Sequence, residues 1–129
     1  MAVTHSTAAR NAATDAVTAL IGASGKLVFR TAGTVSAPGT AVATLSLSAT
    51  AFAAASTGTA TANAISADTN ATGNATAVST ATLQTSAGTV VIHCAVAASA
   101  SDINMTNGLT VAAGDTVSCS SLTYTALSA

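Results

Sequence analysis

Few side chains in this chain can do chemistry, and their spacing decides what chemistry remains open. The 129 residues contain four Asp and no Glu, two His, two Cys and three basic residues. General acid–base catalysis needs paired titrating groups pushed apart by burial. Asp15 falls on a predicted helix, whereas Asp68, Asp102 and Asp115 fall in predicted loops, where Asp normally caps or turns the backbone. His93 and Cys94 are neighbours on a predicted strand and point to opposite faces, so they do not readily share a metal. A nucleophilic pair of Cys119 with His93 lacks an orienting Asn or Asp. Cys94 and Cys119 are both expected to face inward. Free buried thiols are favoured, and a disulfide between them stays open as the alternative. Gly22-Ala-Ser-Gly25 follows a helix instead of opening one, so it lacks the setting of a phosphate cradle. Arg10, Lys26 and Arg30 are too few for a nucleic-acid groove. The expectation is a protein that is not an enzyme, takes no cofactor or metal, and binds neither nucleic acid nor membrane.

Composition points the same way. Charged residues make up 5% of the chain, against about 25% in an ordinary soluble domain. Ala, Thr and Ser together exceed half of it, Trp is absent, and two Phe and one Tyr are the only aromatics. The net charge is −1, so there is no basic footprint and no acidic tail. A core built from Val, Leu and Ile among many Ala buries little area per residue. Packing against neighbouring molecules would supply the missing burial. No secretory signal or membrane-length apolar run is expected. Asn70, Asn74 and Asn104 match the glycosylation pattern, as a Thr-rich chain does by chance.

The elements that position these residues begin with one helix, from Thr7 to Ile21. Its apolar stripe is Ala9, Ala13, Ala16, Val17, Leu20 and Ile21, with Thr4 or Ser6 as the cap and Gly22 as the end. From Gly25 the pattern turns to strands. Lys26–Ala32 alternates with Leu27 and Phe29 on one side, and Val42–Ser48 alternates through Ala43, Leu45 and Leu47. Ala37-Pro-Gly-Thr40 suits a type II turn. The low-complexity stretch 56–85 is read as strands near 59–65 and 75–85 around a loop at 67–73, with disorder as the rival. Strands are expected at 89–97, 109–112 and 116–125, the last changing parity at a bulge at Ser120-Ser121. The fold class is therefore mainly β: an antiparallel sandwich or barrel, jelly-roll or Ig-like, preceded by one short helix. Residues 1–24 form the arm and helix, and residues 25–129 the β domain, as one structural unit.

The segment from His5 to Gly22 running into Gly25-Lys-Leu-Val-Phe-Arg-Thr, with Ser86-Ala-Gly-Thr-Val-Val-Ile and Gly108-Leu-Thr-Val-Ala-Ala-Gly-Asp-Thr-Val-Ser followed by Leu122-Thr-Tyr, resembles small virion structural proteins of tailed bacteriophages. The resemblance covers most of the chain and carries no catalytic residue. It implies a part of an assembled particle, made in the host bacterial cytoplasm and located in the virion. The leading expectation is a capsid decoration or cement protein, present in many copies, with the major capsid protein or other virion proteins as partners and homo-oligomeric contacts in the particle. The alternative is a tail fibre, adaptor or receptor-contact module, for which one Tyr and no Trp are poor equipment for stacking on sugars. An ice-binding protein is a third reading. Thr59-Ala-Thr61 and Thr80-Ala-Thr82 are similar to flat Thr arrays, but their spacing is irregular.

Overall fold

Two rows of side chains across the main sheet show how an Ala-rich chain fills its core. A computed structural model describes residues 3–129. Strands β1 (Lys26–Arg30), β2 (Ala41–Ser46), β4 (Thr80–Gln84), β5 (Val90–Ala97) and β6 (Ile103–Asn104) form one sheet in the order β2-β1-β4-β5-β6. In register across it, Leu45, Leu27, Leu83 and Ile92 make one row, and Ala43, Phe29, Ala81 and Cys94 make the next. The Phe29 ring sits between two alanines, so large and small side chains alternate along the row. The expected inward parity of Leu27, Phe29, Ala43, Leu45 and Leu47 holds, and all five are buried. A register shift between Phe29 and Arg30 also turns Val42 inward, where it is fully buried. Enlarging the small member of the Phe29 row should be costly. Ala81→Leu is expected to lose about 1–3 kcal/mol in urea unfolding, because Ala81 is fully enclosed beside the ring.

Strands supply 31% of the chain and the helix 10%, and the main sheet curls like half a barrel. The fold is thus mainly β with one short helix, as the alternation predicts. Pairing is antiparallel from β2 to β5 but parallel between β5 and β6, so the expected all-antiparallel order is broken there. A second ladder has two strands, β3 (Thr59–Thr61) and β7 (Thr123–Thr125).

The low-complexity stretch is ordered by backbone hydrogen bonds more than by side chains. Segment 66–73 runs along the outer edge of β2: Ser66 N donates to Ser46 O, and Gly73 N to Val42 O. Its other side meets segment 109–117. Asp68 and Val117 exchange both backbone bonds, Asn74 N donates to Val111 O, and Val78 N donates to Leu109 O. The expected loop at 67–73 is therefore a connection built into the wall, and the strand expected at 109–112 is extended but irregular. The parity change before Leu122 is present, but residues 118–121 leave the ladder instead of forming a bulge within one strand, and pairing resumes where Ala62 N donates to Leu122 O.

The β1–β2 hairpin also turns elsewhere than expected. Gly33 bridges Pro38, and Thr34 N donates to Ala37 O, so the tip is Thr34–Ala37. Gly39 lacks the positive φ that a type II turn needs at its third position. Its role is close approach, since a Cβ there would overlap the backbone of Ala32.

Helix α1 (Thr7–Ala19) is capped by Ser6, whose hydroxyl accepts from Ala9 N at 3.1 Å, and Gly22 follows it at φ 70°. The expected stripe is buried only in part: Ile21 lies in the core and Ala13 and Val17 are half-buried. Thr14 and Thr18 are its buried residues, whereas Ala9, Ala16 and Leu20 are exposed. Alanine offers too little area to steer a helix, and polar side chains that satisfy loop backbone steer it instead. No helix among the described residues is long and apolar enough to cross a membrane.

Candidate functional site

Each carboxylate proves to be tied to the backbone. Asp15 Oδ1 accepts from Ala55 N at 2.8 Å, and Asp68 accepts from Thr44 N at 2.9 Å and from Asn70 N at 3.0 Å. Asp102 Oδ2 accepts from Ala95 N and Asp115 Oδ2 from Ala112 N, both at 2.9 Å. A carboxylate–amide bond is charge-assisted and stronger than a neutral one, which suits an acid used to pin a loop to a strand edge. The expected capping role of the loop Asp residues is what the geometry shows, and Asp15 performs it from the helix. Among the described residues, no group of three or more His, Cys, Asp or Glu is placed to hold a metal ion.

The basic residues are committed in the same manner. Arg10 Nε donates to Leu127 O and Arg10 Nη2 to Thr57 O. With Asn11 Oδ1 accepting from Gly58 N, and Thr14 Oγ1 donating to Gly58 O and accepting from Ala126 N, they dock α1 on the ends of the β3–β7 ladder. His5 Nδ1 lies 2.7 Å from Ala129 O on the same surface. Lys26 Nζ donates to Ser46 Oγ. Arg30 lies flat over the outer sheet face, with Nε on Thr82 Oγ1, Nη1 on Gly39 O and Nη2 on Gln84 Oε1. All three acceptors are neutral, and burial lowers the Arg30 pKa. Arg30 thus lies against Thr82, which is fully buried on this face, and Val28 is nearly so. Thr82 is fully buried, so Thr80-Ala-Thr82 is no surface array.

The histidine and the thiols stay apart. His93 stands opposite Thr82 on the outer face, and its Nε2 is buried without a hydrogen-bond partner. Cys94 faces the inner side opposite Ala81. Cys119 is half-buried in segment 118–122, where its Sγ donates to Ser121 O at 3.3 Å. Both thiols are free in this structure, so the alternative disulfide between Cys94 and Cys119 is not formed. Gly22–Gly25 joins α1 to β1, and Gly25 is packed so tightly that a Cβ would overlap Ile21, which accounts for it without any phosphate.

Burial, and then the nearby Asp102 carboxylate, push the Cys94 thiol from 9.0 up to about 11. Burial raises Cys119 as well. Cys94 is therefore protonated in the folded chain at a pH where the unfolded chain has already lost that proton. Its contribution is fully present below about pH 9 and is lost as pH rises toward about 11. Urea unfolding across that range should show stability falling more steeply for the wild type than for Cys94→Ala. A thiol reagent near neutral pH should label Cys119 first and Cys94 only as the chain unfolds.

A cleft of about 660 Å³ lies between 102–111 and 115–123. Phe29, Val111, Val117 and Leu122 provide apolar lining, while Thr, Ser and Asn, together with Asp102 and Asp115, supply polar groups. A shallower hollow of about 360 Å³ lies between the end of α1 and residues 49–54. No protein-family model matches the chain, and no match was found among curated proteins or solved structures. The cleft and the near-neutral outer surface are thus the features from which function has to be argued. Sequence reasoning missed the cleft, because Phe29 and the two segments 102–111 and 115–123 line it and no local pattern marks their meeting.

Proposed function

We propose that this chain is a non-enzymatic virion structural protein of a tailed bacteriophage: a capsid decoration or cement protein that braces the shell through many identical protein–protein contacts. The observation that carries the reading is the use of all four carboxylates, together with Arg10 and Arg30, as bonds to the chain's own backbone and neutral side chains. What is left outward is small, neutral and hydroxyl-rich. Such a surface lies against a neighbour without stranding desolvated charge. The sequence resemblance to phage virion proteins supports the same reading, with the major capsid protein as the principal partner and the virion as the location.

The finer fold assignment, a jelly-roll or Ig-like sandwich or barrel that is antiparallel except at β5–β6, goes with this proposal. The half-barrel curl and the irregular wall at 66–78 and 109–117 support it, as a barrel left open at one seam. Purified particles test the function. A copy number comparable with that of the major capsid protein, and density for this chain on the outer shell, are the expected results. A few copies confined to the tail would overturn the capsid reading in favour of a tail adaptor or receptor-contact module.

A further inference from the structure

Six asparagines are spread along the chain, and one differs from the rest in what holds it. Asn11 Oδ1 accepts from Gly58 N, Asn74 Oδ1 from Thr76 N and Asn104 Oδ1 from Ser101 N, while Asn63 Nδ2 donates to Thr50 O. Asn70 is followed by Ala71, whose N–H is committed to Asp115 O. Asn107 lies exposed in the turn after β6, and no hydrogen bond among the described residues holds its carboxamide. Gly108 follows it, and its N–H has no acceptor among the described residues. The Gly108 φ is 110°, and a Cβ built there would meet nothing within 4 Å. A free carboxamide is thus next to a free backbone nitrogen, with no side chain on residue 108 to obstruct their approach.

We propose that Asn107 is a self-modifying site at which the side-chain amide is lost spontaneously to give aspartyl and isoaspartyl products. The Gly108 nitrogen, on losing its proton to solvent, attacks Asn107 Cγ. A bond forms between that nitrogen and Cγ, the Cγ–Nδ2 bond breaks, and the amide takes up a proton and leaves as ammonia. The five-membered imide then consumes one water. Opening at Cγ gives an ordinary Asp, and opening at the main-chain carbonyl carbon gives an isoaspartyl link with the chain running through Cγ. Solvent water is the only co-reactant. Asn107 and Gly108 both line the cleft that carries Asp102 and Asp115, so the product adds a third carboxylate to it. It also adds one negative charge to a chain whose net charge is −1. The charge of the cleft therefore changes with the age of the molecule. This inference does not rest on the virion reading.

Incubation of the folded full chain in mildly alkaline buffer, followed by peptide mapping with mass spectrometry, tests it. The Asn107 peptide should gain the mass of an amide-to-acid exchange and separate into two isomers of equal mass. The rate should rise with pH, because the attacking nitrogen must lose its proton. Asn107 should convert within about threefold of its rate in the urea-unfolded chain, whereas each of the other five asparagines should be slowed at least about tenfold by folding. Gly108→Ala, which places a methyl group beside the attacking nitrogen, should slow Asn107 by about tenfold. Asn107→Gln, whose ring would have six members, should show no conversion over the same period. On anion exchange the aged wild type should move to the position of fresh Asn107→Asp. A folded chain in which Asn107 stays an amide overturns the proposal, whether or not the unfolded chain converts. So does another asparagine converting as fast in the folded chain, or a Gly108→Ala rate equal to that of wild type.

Discussion

Thr14→Val should destabilise the chain by about 2–4 kcal/mol, a large loss for an exchange that keeps the side chain's shape. Thr14 is fully buried on α1, and its hydroxyl both donates to Gly58 O at 2.6 Å and accepts from Ala126 N at 3.1 Å. Val fills the same space but leaves a carbonyl and an amide without partners, each costing about 1–3 kcal/mol when buried. The two groups belong to segments far apart in sequence, Gly58 and Ala126, so one hydroxyl joins the helix, the 55–58 turn and the C-terminal strand region. Thr14→Ser keeps the hydroxyl and should lose markedly less. Urea unfolding of the three proteins measures the difference. A Val variant within about 0.5 kcal/mol of wild type would show that α1 is held by apolar contact instead.

Leu27→Ala should cost about 3–5 kcal/mol, the upper part of the range for a buried leucine. Leu27 has no exposed surface, lies on a strand paired on both sides, and fills the middle of the Leu45–Leu27–Leu83–Ile92 row. The cavity left behind cannot collapse easily. Hydrogen bonds fix both flanking strands, and the adjoining row already contains Ala43 and Ala81. In a core this poor in large side chains, one leucine is a substantial share of the apolar burial. Leu20→Ala, at a position 65% exposed, should change stability by less than about 0.5 kcal/mol in the same thermal or urea measurement. If partner contacts add stability, they raise wild type and Leu27→Ala alike, so both should unfold later in an assembled state while the deficit between them persists.

The strands rich in Leu, Val, Ile and Phe were largely legible, although register shifts turn Val42 inward and bring Val91 against the core. Leu27, Phe29, Leu45, Ile92, Cys94 and Val96 take the faces that alternation assigns, because each carries enough apolar area to choose a side. Ser6 and Gly22 mark the helix ends for equally local reasons. The Ala stripe misled, since Ala9 and Ala16 lie outward while Thr14 and Thr18 lie inward. Alanine's periodicity says where a helix can exist and almost nothing about how it docks. In hindsight the signal was the polar series Arg10, Asn11, Thr14, Asp15 on one face. Its targets, Thr57, Gly58, Ala55 and Ala126, are backbone groups and leave no mark in a sequence.

The same division runs through the candidate site. Sequence alone determined a mainly β chain with one capped helix, carboxylates suited to capping, and a surface nearly empty of charge, because composition and local alternation act over a few residues. Tertiary structure alone decided which backbone each Asp secures, that Ser118–Ser121 leaves the ladder, that β6 runs parallel to β5, and that the sheet stops short of closing. Those outcomes depend on where distant N–H and C=O groups are left unpaired once the leucine and phenylalanine rows have packed. In a chain made mostly of Ala, Thr and Ser, side chains are too small to fix that arrangement in advance, so the backbone's demand for partners fixes it instead.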